Sequence, residues 1–345
     1  MDCRGRSHRL LTLRGPRAPD IGGLRPSRCG FPERLGSGSV TTPTATRRLH
    51  LDARAVVIVV LCCVVWGLGQ VASKVGLTQI PPLTQGGLRS LGAGVLVLLW
   101  ARRRGIPLSK RDGTWRAGLL AGALFGAEFA CIYLALGYTT VGRMTVFLYL
   151  APFVVAGGMA FIARSERLGR IGLAGLVIAF CGVAVAFSEG FTSSNALPKQ
   201  WLGDLLGIAA AIGWGATTLV IRGSSLSSAP PAKTLLYQLA VSGIGLTTLG
   251  LLTEPRMGWP LTGSVALAMA FQILVVGSTS YLVWFWLISV YAAPRLSAFT
   301  LLTPVVALVA GATWLGEPLT VRLMVALLAV CIGLVAVNYR GRTRA

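Results

Sequence analysis

From Ala55 onward the chain alternates long apolar runs with short polar breaks. The runs cover roughly residues 55–77, 82–101, 116–138, 143–163, 170–188, 202–222, 232–252, 264–290, 295–315 and 320–338. As a helix, each is long enough to cross about 30 Å of hydrocarbon with some tilt. The pattern therefore predicts an all-α integral membrane protein with ten transmembrane helices. Residues 1–52 are different: rich in Arg, Gly, Pro, Ser and Thr and poor in large apolar side chains. They read as a basic, disordered cytoplasmic leader. An Arg-rich targeting peptide is the second reading. A third is that residues 1–39 precede the native start.

The polar breaks fix an orientation. With the N-terminus inside and the runs alternating, the inside segments hold twenty-six of the Lys and Arg residues. The outside segments hold four: Arg143, Lys199, Arg256 and Arg322. Without the leader the bias is still fifteen to four. An excess of positive charge on the cytoplasmic side places both termini in the cytoplasm and the protein in the cell membrane. The last residues, 339–345, form a short basic tail.

Composition agrees. Of 345 residues, 54% are hydrophobic and 12% charged, the latter about half the share usual in soluble domains. Mean hydropathy is +0.70. The formal charge of +21 belongs to the leader and the breaks, not to a nucleic-acid-binding stripe. Cys62, Cys63, Cys131, Cys181 and Cys331 lie in apolar runs, and no spacing suggests a metal site or a disulfide framework. His8 and His50 both precede the first run, so no histidine-ligated metal is expected in the membrane.

The runs repeat. GRMTVFLYLAP (142–152) matches PRLSAFTLLTP (294–304), pairing Arg143 with Arg295, Phe147 with Phe299 and Pro152 with Pro304. Each block leads to an acid, Glu166 in RSERLGR and Glu317 in LGEPLT. Trp66-Gly67 matches Trp214-Gly215, and PPLTQGGLR (81–89) matches PPAKTLLYQ (230–238), which sets Arg89 opposite Gln238. The chain divides into a first repeat, 53–189, and a second, 200–338, of five runs each. Because five is odd, the second repeat enters from the opposite side: an inverted-topology repeat, an architecture that secondary transporters use for alternating access.

Taken together, the WG of the first run with Lys74, PPLTQGGLR with Arg89, the YLAP and LLTP blocks, and LGEPLT before a Gly-containing last run resemble the drug/metabolite transporter superfamily, in particular EamA-type members with two EamA repeats. The resemblance covers about residues 55–338. It implies a ten-helix bundle that moves small organic solutes, such as amino acids or drugs, across the cytoplasmic membrane, often as an exporter. In RSERLGR, Ser165 stands where the second copy and many relatives have Gly.

Polar residues within the runs are the candidate site. Glu128 lies near the centre of the third run, where an ionised carboxylate costs several kcal/mol; it is expected to be neutral, paired or facing water, which suits proton or solute coupling. A structural, hydrogen-bonded Glu is the competing reading, and its repeat mate is Ser280. Arg89 is placed to pair with Glu128 or hold a substrate carboxylate, or else to snorkel to the headgroups. Gln70 is a further polar candidate. Pro152 and Pro304 predict midspan breaks that free backbone carbonyls, with hydroxyls from Tyr149, Thr303, Thr145 and Thr300 nearby. Tyr281, Trp284 and Phe285 share a helical face. Lys74, near the outer end of the first run, can snorkel or act with Arg89 at an outer mouth. Gly118, Gly122 and Gly126 read as a packing stripe, and Glu166, Glu317 and Asp204 as capping or solvated groups.

The expected function is a secondary carrier for a small solute, with a proton as candidate coupling ion. A channel, or a lipid-handling or scaffold protein, is the alternative. No HExxH, GxSxG or P-loop is present, so neither an enzyme nor a cofactor is expected.

Overall fold

The computed structural model describes residues 52–108, 112–162, 170–192, 197–291 and 299–338. The leader, the tail, Glu166 and Arg295 lie outside the described residues. Regular structure among the described residues is helical: α1 (Ala53–Gly76), α2 (Pro82–Arg103), α3 (Trp115–Leu136), α4 (Val141–Leu148), α5 (Ala151–Ile162), α6 (Arg170–Thr192), α7 (Gln200–Arg222), α8 (Pro231–Thr253), α9 (Gly263–Ala270), a π-helical stretch (Phe271–Ser280), α10 (Tyr281–Val290), α11 (Leu302–Leu315) and α12 (Val321–Asn338). Seven helical stretches among the described residues are long and apolar enough to cross a membrane, and α11 and α12 are shorter apolar helices. This is a multi-pass helical membrane protein.

Local sequence sets the helix ends. Asp52 caps α1, its Oδ1 accepting from the Ala55 amide at 2.8 Å, and Thr140 caps α4 by accepting from the Arg143 amide. The two PP motifs open α2 and α8. The first proline is extended and the second, Pro82 or Pro231, starts the helix, where its missing N–H costs nothing.

The fourth and ninth predicted runs are interrupted, for one physical reason. A proline ring clashes with the carbonyl four residues earlier. Four residues before Pro152 is Leu148, where α4 ends; the chain turns through Tyr149 and Leu150 before α5 begins. Four residues before Pro304 is Thr300, and α11 begins after a turn at Leu301. Near this second break the Cys63 thiol donates to the Phe299 carbonyl at 3.3 Å. The eighth run is helical throughout but passes through ten π-helical residues, a winding often found at functional sites.

The surface is apolar and the interior carries the polar groups. Exposed side chains include Val57, Leu119, Ile171, Val177, Leu251 and Leu252, whereas Arg89, Glu128, Arg143, Asp204, Gln85 and Gln272 are buried. An apolar shell around a packed apolar core that also holds charged and amide side chains fits a lipid setting. Glycines permit close approach: a Cβ on Gly118 or Gly122 would fall within 2.7 Å of Tyr237 or Val241 of α8, so the predicted packing stripe faces that helix.

The main packing is unchanged when the halves are exchanged. The pair α2 with α8 and the pair α6 with α12 each match a helix with its own repeat mate. The α3–α7 contact corresponds to α1 with α9 and the π stretch, and the α5–α7 contact to α1–α11.

Candidate functional site

Arg89 projects from α2 into the bundle and is 3% exposed. Its guanidinium lies 4.3 Å from the centre of the Phe129 ring and 6.0 Å from that of Tyr281. Both are cation–π contacts, favourable where water is excluded. Glu128, the residue before Phe129 on α3, is 6% exposed. It packs beside Gly213 of α7, where a Cβ would lie 3.1 Å from the Glu128 Cβ. Arg89 and Glu128 interact electrostatically, yet the Arg89 Nη1 and the Glu128 Oε2 have no hydrogen-bond partner.

One more predicted residue shares this condition: Gln70 Oε1 on α1 is buried and unpartnered. Tyr149 is buried in the turn after α4, with its ring edge-on to Trp214 at 6.0 Å and with Thr303 and Thr300 as neighbours. Pro152 and Pro304 flank these hydroxyls in sequence. Trp284 meets Trp66 edge-on at 5.2 Å, and the Trp66 indole N–H donates to Ser280 Oγ at 2.9 Å. The repeat mate of Glu128 is thus a hydroxyl engaged with a tryptophan. The Phe285 side chain lies outside the described residues.

Lys74 has other company. Its ammonium donates to the Thr139 carbonyl at 2.5 Å and pairs with Glu317 at 3.3 Å. Among the described contacts, none joins it to Arg89. Glu317 does act as a cap, but of α4 in the other half, accepting from the Val141 amide at 2.9 Å. Asp204 departs from expectation. Far from being solvated, it is 0% exposed and accepts from Arg143 Nε at 3.1 Å and Nη2 at 2.5 Å and from the Thr139 hydroxyl at 2.7 Å. Arg143 also donates to Glu189 at 2.7 Å and to the Ala186 carbonyl at 2.6 Å.

A second polar group was not anticipated from sequence. Gln272, in the π stretch, accepts from the Tyr133 hydroxyl at 2.6 Å and the Ser73 hydroxyl at 3.3 Å and donates to the Ala72 carbonyl at 3.2 Å. Gln85 donates to the Ser73 carbonyl at 3.0 Å. Three helices and the π stretch meet there, and the signal in the sequence was two glutamines inside apolar runs.

The arrangement offers opposite charges, hydroxyls and aromatic faces inside an apolar bundle, and among the described residues no three His, Cys, Asp or Glu side chains gather to hold a metal. Residues 53–188 and 201–339 each match the EamA-like transporter family. An uncharacterized transporter, YvbV, of Bacillus subtilis is 26% identical over 84% of this chain and 93% of its own length. A "probable amino-acid metabolite efflux pump" of Salmonella typhimurium is 30% identical over 76% of this chain and 87% of its own length. A solved crystal structure that is 19% identical superposes with a TM-score of 0.60 over 83% of this chain and 96% of the other, a likeness of fold. With both halves matched in tandem over most of its length, the chain belongs to the EamA-like transporter family.

Proposed function

We propose that this transporter is a secondary carrier that exports a small organic solute by alternating access, its ten crossings arranged as two inverted five-helix halves with both termini cytoplasmic. The observation that carries the reading is a group of buried polar atoms without hydrogen-bond partners that includes Gln70 Oε1, Arg89 Nη1 and Glu128 Oε2. An unpartnered polar atom in a dry interior costs about 1–3 kcal/mol, more when charged, and a passing solute is what removes that cost. Arg89 offers a buried cation and Glu128 a buried acid without a direct bond between them, which suits a solute bearing both an acidic and a basic group. The name of the Salmonella relative, an amino-acid metabolite efflux pump, points to the same class. Tyr149, Tyr281 and Trp284 supply aromatic and hydroxyl contacts, and Glu128 is the candidate proton carrier. The packing that survives exchange of the halves supports inverted repeats working in alternation.

The test is solute flux in proteoliposomes across amino acids, nucleosides and cationic drugs. Glu128→Gln and Arg89→Met are expected to lower flux by about tenfold or more, as loss of one charge-assisted contact implies, while the protein stays folded. Unchanged flux and pH dependence in Glu128→Gln would remove coupling through Glu128. Ion conductance without coupled solute movement would favour a channel.

A further inference from the structure

The buried charges around Arg143 reach seven places in the bundle. Lys74 stands at the end of α1 and Thr139 between α3 and α4, while Arg143 and Val141 lie in the first turn of α4. Glu189 and Ala186 lie near the end of α6, Asp204 in the first turns of α7, and Glu317 between α11 and α12. Thr320, just before α12, donates to Glu189 at 2.9 Å. The links run without interruption from Lys74 through Glu317 and Thr139 to Asp204, Arg143 and Glu189. They join helix ends of the first half to helix ends of the second. At the opposite end of α2 and α8, among the described residues, Lys233 donates to Asp112, which is 32% exposed and so meets more water.

We propose that this network is a latch that shuts one mouth of the transporter, the mouth which the distribution of positive charge assigns to the outside. The latch rests on the carrier reading but on none of its solute-binding residues. Its chemistry fits a part that must both hold and release. A charge pair is strong while water is excluded and weak once water enters. Parting Arg143 from Asp204 is therefore costly for a closed mouth and cheap for an open one. Arg143 is the centre: one edge of its planar fork meets Asp204 from α7, and Nη1 meets Glu189 from α6. A purely local role, fastening loose ends, would not need both halves or full burial.

Hydrogen–deuterium exchange on the protein in lipid nanodiscs, with no solute added, tests the latch. Asp204→Asn and Glu317→Gln keep shape and remove charge. Each is expected to speed exchange about ten- to hundredfold, the size of one lost charge-assisted hydrogen bond, in peptides covering residues 67–76, 141–148 and 200–211. Residues 98–103 and 231–234, at the other end, should keep their wild-type rates. Asp112→Asn should move that second set and not the first. Faster exchange confined to the last helical turn, an equal rise at both ends, or no change would overturn the latch. Should Asp204→Asn fail to fold, Lys74→Gln, which removes a partly exposed link, carries the same comparison with the same outcomes. Since solute is absent, failure of the latch leaves the carrier reading standing, and unchanged flux in the Glu128 and Arg89 variants leaves the latch standing.

Discussion

Single residues in this protein divide into those with partners and those without. Arg143 is bonded to two carboxylates and a carbonyl. Arg143→Met is expected to destabilise by about 3–5 kcal/mol, because it strands Asp204 and Glu189 in the interior. Arg143→Lys should recover little of this, since an ammonium cannot span both acids as the guanidinium fork does. Unfolding of the purified protein in detergent measures both. Arg89 and Glu128 are the reverse case, buried and each with a polar atom, Nη1 and Oε2, that no hydrogen bond reaches. Sequence made these two legible because each interrupts a long apolar run. It misplaced Asp204 because an acid at the start of a run looks the same whether it meets water or an arginine from another helix; only the fold brings Arg143 to it. Lys74 was visible for the same reason as Glu128, but its partner Glu317 lies far away in the chain, and no local pattern pairs them.

At the scale of elements, apolar length located the α-helices of the described residues, but winding was not written in hydropathy. The breaks before α5 and α11 were legible because proline marks them. The π stretch between α9 and α10 has no such mark, since Phe271–Ser280 contains no proline. Helix approach was legible through glycine. At Gly122 a Cβ would meet the Val241 Cβ at 2.6 Å and the Tyr237 carbonyl at 2.7 Å. Gly122→Val is expected to cost about 1–3 kcal/mol by forcing α3 from α8. Gly245→Ala, on the exposed face of α8 with nothing within 4 Å, should be neutral or slightly stabilising through higher helix propensity. Thermal unfolding of the two variants side by side decides whether the close contact or glycine itself matters.

The whole molecule is tied at both ends, and one tie has a defined pH response. The Lys233 ammonium, and after it the Thr114 hydroxyl, hold the Asp112 carboxyl below the usual carboxylate range. A carboxylate depressed in the folded state adds stability that is fully present above its unfolded pKa of about 3.9 and fades as pH falls through the lower folded value. Wild type and Asp112→Asn should therefore differ in melting temperature at neutral pH and converge only well below about pH 4. Convergence already near pH 6 would show that the tie is not set by Asp112. At this scale the membrane character and the tandem halves were plain in the sequence. The cross-half network was not, because it depends on which helix ends meet.

That network also bears on how the protein is made. A ribosome delivers the chain in order, so Lys74 and Arg143 emerge before Asp204 and long before Glu317. At about 5–20 residues per second, Lys74 waits roughly 10–50 s for its carboxylate. During that time an early cation must be kept in water, which a helix end at the membrane surface allows and a helix centre does not. Arg89 and Glu128, deeper in the bundle, belong to the same half and arrive within seconds of each other. Charges whose partners are synthesised late sit at the rim, and those placed deep are made almost together; the order of synthesis is thereby compatible with the depth of each charge.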